Sequence, residues 1–174
     1  MSKILYIFDV DDTLIATTAK VRVVNAEGDV VASFSSQVYN NAELLTPIPE
    51  GCRFDFTEFD SLAKLLCEPL LPAFDKLRTT PIFDTYIFTA RHNKKAIKEW
   101  LRLKGVRMFA SHIRCLDRRK YSDTADFKGK QLSELLGTGK YSAVEIYEDD
   151  KGYIKSMVQA AKPHQVDVQV FSTF

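Results

Sequence analysis

The chain opens on a short continuous apolar run, Lys3 to Phe8 (KILYIF), closed by acids. Such a run predicts a strand covered on both faces, as in a parallel sheet. From Lys20 to Ser36, Val-rich alternation flanks Asn25-Ala26-Glu27-Gly28-Asp29, which predicts a hairpin. Residues 37–58 carry Pro47, Pro49 and Gly51 and little periodicity, and read as an irregular excursion. Phe59, Leu62, Leu65, Leu66, Leu70, Phe74 and Leu77 follow at mostly helical spacing, interrupted near Pro69 and Pro72. Phe83 to Phe88 predicts a second strand. Asn93 to Gly105 predicts an amphipathic helix, with Ala96, Ile97, Trp100, Leu101 and Leu103 apolar and Gly105 closing it. A short strand at Ser111–Leu116 comes next. It is followed by a helix over Asp126–Leu136, a strand at Ala143–Tyr147, a helix over Asp150–Ala161 and a last strand at Val166–Phe171. This cadence predicts a three-layer α/β fold with a mainly parallel sheet.

At 174 residues, the chain is expected to form one domain, residues 1–174, with an insertion at about 18–58. Hydrophobic residues are 45% and charged residues 27%, which excludes a disordered chain or a disulfide scaffold. Lys plus Arg is 24 against Asp plus Glu at 23. No global field then favours nucleic acid or an anionic membrane, and any such contact must come from a local patch. Cys52, Cys67 and Cys115 are scattered, without metal-ligand or disulfide spacing. The opening apolar run is too short for a secretory core or a membrane span. A cytoplasmic protein without a membrane partner is expected.

In open α/β sheets, ligands bind beyond the carboxyl ends of the strands. The first apolar run ends in Asp9-Val10-Asp11-Asp12-Thr13, the FDTYIF run in Thr89-Ala90-Arg91, and the late VEIY run in Glu148-Asp149-Asp150. If these strands are neighbours, the acids converge, and crowded carboxylates call for a cation. All-oxygen ligands suit Mg²⁺. Each feature also has a plainer reading. Asp9, Asp11 and Asp12 alone read equally well as a capped loop, and Thr89 as the cap of the Asn93 helix. Lys128, in DTADFKGK, reads alone as solvated surface, with Lys130 as its rival.

Taken together, four motifs are recognisable. FDVDDTL resembles the first motif of the haloacid dehalogenase (HAD) superfamily, IFTAR its second, TADFKGKQL its third and IYEDDKGYI its fourth. They stand in the family's order over residues 4 to 155. The combination of TADFK, LSELL and IYED also resembles an RNA-repair-like branch and the phosphatase half of phage polynucleotide kinase-phosphatases. The chain departs from those relatives at Asp150, often Arg there, and has no P-loop.

The resemblance implies a Rossmann-like HAD core and an Mg²⁺-dependent phosphatase acting through an aspartyl-phosphate. In that reading Asp9 is the nucleophile and Asp11 the general acid and base. Thr89, Ala90 and Lys128 bind the phosphoryl group. Asp9, Asp149 and the backbone carbonyl of Asp11 hold the metal. Glu148 supports the metal site, Arg91 reaches substrate, and Asp150 lies at the surface.

Caps in this family follow the first or second core strand. Here the sequence offers too little periodicity for one, so a β-hairpin flap without a large cap is expected. An open site admits nucleotides or nucleic-acid ends as well as other phosphorylated small molecules. Arg114, Arg118, Arg119 and Lys120 with Tyr121 form a basic loop that reads either as a nucleotide contact or as solvated surface. Trp100 reads as core. Another phosphorylated metabolite is the alternative substrate, and a non-catalytic phosphate-binding scaffold the non-enzyme reading. The sequence leaves the oligomeric state open.

Overall fold

The computed structural model describes residues 2–40, 46–60, 65–121 and 123–172. Five parallel strands form the central sheet: β1 (Lys3–Phe8), β7 (Phe83–Thr89), β8 (Ile113–Cys115), β9 (Tyr141–Glu148) and β10 (Asp167–Ser172), in the order β10-β9-β1-β7-β8. The two-residue period of β1 sends alternate side chains to opposite faces. Tyr6 and Phe8 join one core with Phe74 of α2 (Leu71–Arg78) and with Ile97, Trp100 and Leu101 of α3 (Lys94–Leu103). Leu5 and Ile7 join a second core with Leu132, Leu135 and Leu136 of α4 (Thr124–Leu136) and with Met157 and Ala161 of α5 (Lys151–Ala161). The result is the three-layer α/β, Rossmann-like arrangement that the strand–helix cadence predicts. Phe8 stacks on Tyr147 with ring centroids 4.3 Å apart and meets Phe74 edge-on at 5.2 Å. Truncating so enclosed a ring costs about 3–5 kcal/mol.

α4 and α5 pack closely because Gly129 has no Cβ. One built there would lie 2.7 Å from Ser156 Oγ. Asn93, and not Thr89, caps α3: its side chain accepts from Ala96 N–H at 3.1 Å. Gly105, at φ +78°, ends that helix in the left-handed conformation glycine permits. Leu103 is exposed, off the apolar stripe that its sequence spacing predicts.

Between β1 and β7 the chain makes its excursion. β2 (Ala16–Thr17) pairs antiparallel with β6 (Leu65–Cys67), and in a second antiparallel sheet β3 (Val21–Val24) lies between β4 (Val30–Phe34) and β5 (Arg53–Asp55). The predicted hairpin is β3 with β4. The stretch read as irregular contains α1 (Ser36–Asn40) and β5, which pairs with β3. Among the described residues, the helical spacing from Phe59 to Leu77 gives an α-helix at its end, where Pro72 sits in the first turn of α2, a position proline tolerates. Before it, pairing of β6 with β2 overrides the local period, and Leu62 lies outside the described residues. Among the described residues there is a flap sheet and no large cap. No described helix is long and apolar enough to cross a membrane.

Candidate active site

β1 and β9 run side by side in register Phe8↔Tyr147, so the residues just past that pair, Asp9 and Glu148, arrive together. Asp9 N–H donates to Tyr147 C=O at 3.0 Å, which fixes the turn off the sheet. Lys128 reaches the same point from α4. Its burial follows from the helical period: Lys128, Leu132, Leu135 and Leu136 share the inward stripe, and Lys130 points away to Asp126. Lys128 is 0% exposed, and its ammonium lies 2.6 Å from Asp9 Oδ1 and 2.6 Å from Glu148 Oε2. The solvated reading of this lysine is therefore wrong.

Asp9, Glu148 and Asp149 each offer a carboxylate oxygen, all within 4.8 Å of one another. Three acids against one lysine leave an excess of negative charge in a buried place. Burial pushes Asp9 up to about 8, outweighing the pull of Lys128, with Glu148 and Asp11 adding repulsion. Burial likewise raises Glu148 to about 7. For Asp149, burial and then the Asp9 and Asp12 charges raise it to about 7. Burial alone would lower Lys128, but the two carboxylates raise it, so the ammonium stays charged. Carboxylates that resist ionising beside one another form a donor set suited to a hard divalent cation.

Asp11 does not join the metal-capable group with its side chain. Arg91 grips it with both teeth, Nε to Oδ2 at 2.8 Å and a terminal nitrogen to Oδ1 at 2.6 Å. Arg91 also donates to the Phe59 carbonyl and lies over the Phe59 ring. It thereby ties Asp11 to the insertion. Asn93 and His92 add bonds to Asp60 beside it. Thr89 is fully buried, and its hydroxyl accepts from Arg91 N–H at 3.1 Å. As placed here the hydroxyl shapes the loop, and it is Ala90 and Arg91 that line the cavity. Glu148 binds Lys128 directly as well as belonging to the acid group. Asp150 corrects the surface expectation: half-buried, it caps α5 by accepting from Tyr153 N–H at 2.9 Å.

The cavity above these groups has a volume of about 800 Å³. Asp9, Asp11 and Asp149 line it, as do the N-terminal residues of α4 (Thr124, Ala125) and of α5 (Gly152, Tyr153). Helix N-termini favour anions there. The insertion adds Tyr39, Phe54, Phe56 and Phe59 to the lining. Tyr39, Phe54 and Phe56 fall in the stretch without period, and Phe59 opens the run of helical spacing, so none of them points to a site in the sequence. Of the basic loop, Arg118 lines the cavity. Tyr121 instead packs against Phe127, and Arg119 pairs with Asp117. Trp100 belongs to the core.

No protein-family model and no curated protein sequence matches the chain. Among solved structures, the fold is similar to that of the Legionella pneumophila effector Ceg4. The TM-score is 0.57 at 13% identity, over 99% of this chain and 86% of that one. At that identity the likeness concerns the fold.

Proposed function

We propose that the protein is a metal-dependent phosphatase that hydrolyses phosphate monoesters through an aspartyl-phosphate on Asp9, as the haloacid dehalogenase-like motifs imply. The observation that carries this reading is the meeting of Asp9, Glu148, Asp149 and Lys128 at the carboxyl end of the central strands. A fixed ammonium against a carboxylate, beside two further acids, suits a carboxylate that must accept the phosphoryl group of a dianionic ester. A solvated loop or a simple helix cap does not require it.

The donor set fits Mg²⁺: three carboxylates, all oxygen, with excess negative charge. Asp9 and Asp149 would hold the ion with Glu148 beside them. Bound there, Mg²⁺ would neutralise charge on the phosphoryl oxygens. Asp9 supplies the attacking oxygen. Its Lys128 bond orients the carboxylate and keeps positive charge next to the incoming phosphoryl group. Ala90 and the first residues of α4 and α5 line the same space, where a helix start favours an anion. Asp11 serves the leaving oxygen. Both its oxygens accept from Arg91 in the resting arrangement, so proton donation requires one of those bonds to open.

Nucleotides or polynucleotide ends are the favoured substrate class. The support is a cavity large enough for such a body, with aromatic rings and a guanidinium in its lining. Release of phosphate from a broad panel of monoesters, with and without EDTA, tests the reading. Asp9→Asn, nearly isosteric, is expected to abolish turnover with the fold intact. Metal-independent release, or normal turnover by Asp9→Asn, would overturn it. No release from any ester would favour a binding protein instead.

A further inference from the structure

The insertion brings three rings together that neither core of the sheet uses. Tyr39 of α1 meets Phe54 of β5 at 5.0 Å and Phe56, just beyond that strand, at 5.2 Å, edge to face in both cases. All three are half-buried, and all three line the cavity that holds Asp9 and Asp149. From the core side, Arg118, in the loop after β8, lays its guanidinium over the Phe56 ring at 5.6 Å. Among the described residues Arg118 makes no ion pair. A cation without a carboxylate and a cluster of rings with free surface meet in one space. The chemistry both favour is a π-face.

We propose that Tyr39, Phe54, Phe56 and Arg118 form a stacking subsite for a planar aromatic ring carried by the phosphate ester, the base of a nucleotide. This rests on reading the acid cluster as the phosphate site, and adds the determinant that selects the ester's body. The two ends of the cavity then divide the ligand. Lys128 and the helix starts take the phosphate, and the insertion takes the ring. A cavity of about 800 Å³ has room for both parts of a nucleotide. A phosphate on a short alkyl chain would leave the aromatic wall unmet.

The test is calorimetric binding in Mg²⁺ buffer with four probes: adenosine 5′-monophosphate, adenosine, glycerol phosphate and phenyl phosphate. The 174-residue chain is compared with Phe56→Ala and Arg118→Gln. Arg118 is exposed, so its variant keeps the fold even where Phe56→Ala does not. The nucleotide is expected to bind wild type about tenfold or more tightly than glycerol phosphate. Each variant is expected to lose most of that advantage while glycerol phosphate binds as before, and adenosine alone follows the nucleotide. Equal binding of the nucleotide and glycerol phosphate by wild type would overturn the proposal. So would unchanged nucleotide binding by a folded Phe56→Ala together with Arg118→Gln. Phenyl phosphate binding more tightly than the nucleotide would overturn the assignment of the ring to a base. Turnover is scored separately: absence of hydrolysis would sink the phosphatase reading and leave the ring preference standing or falling on the binding alone.

Discussion

Replacing Lys128 with methionine removes a charge and keeps much of the volume. The side chain is 0% exposed, and its ammonium touches Asp9 and Glu148 at 2.6 Å each. Breaking such a buried pair from one side costs about 3–5 kcal/mol, because the carboxylates stay behind without a partner. In a chain of this size each kcal/mol moves Tm by about 2–4 °C, so the loss is expected to be about 6–20 °C. The loss is expected to depend on pH. Burial already holds Asp9 at about 8 and Glu148 at about 7, above their unfolded values. Between those unfolded and folded values the native state binds protons that the unfolded state has released. Stability therefore falls as pH rises, by about 1.4 kcal/mol per pH unit for each such proton. Removing Lys128 takes away what opposes the rise, so the slope steepens. Thermal unfolding in EDTA at pH 5.5 and pH 8 should show the smaller loss at the lower pH. An equal loss at both, or a shift under about 2 °C, would refute the coupling of Lys128 to these acids.

The same protons compete with a divalent ion. Apparent Mg²⁺ affinity, by calorimetry, is expected to fall steadily as pH drops below the 7-to-8 range where Asp149 and Asp9 ionise; affinity flat from pH 6 to 8 would contradict this. Gly129→Ala would set a methyl group 2.7 Å from Ser156 Oγ, which donates to Ala125 C=O at 2.7 Å. Overpacking of α4 on α5 should cost about 1–3 kcal/mol in urea unfolding, with Ser156→Ala in the same chain restoring part of it. An unchanged midpoint would mean the helices separate freely.

The central strands were legible because each is a single apolar run whose partners follow from the parallel cadence. Phe8 and Tyr147 sit at the ends of two such runs, so the meeting of Asp9 with Glu148 could be expected once those strands became neighbours. Lys128 was half legible: its place on the stripe with Leu132 and Leu136 is in the sequence, but a lysine on an apolar stripe has meaning only when acids await it. The insertion was not legible. Arg53–Asp55 is three residues long and is a strand only because β3 lies beside it. The helical spacing through Leu65 and Leu66 gave way to pairing with β2. The Arg91–Asp11 pair spans 80 positions, and no local pattern announces it. Tyr39, Phe54 and Phe56 are isolated aromatics until the excursion folds back and gathers them.

Trapping the covalent intermediate tests the central claim most directly. The protein, with Mg²⁺ and a phosphate ester from the panel, is quenched in acid within the first turnover expected of it, digested and read by mass spectrometry. One phosphoryl group is expected on the peptide containing Asp9, absent from Asp9→Asn and absent when EDTA replaces the metal. A phosphoryl group on any other residue, or steady turnover with none on Asp9, would contradict it.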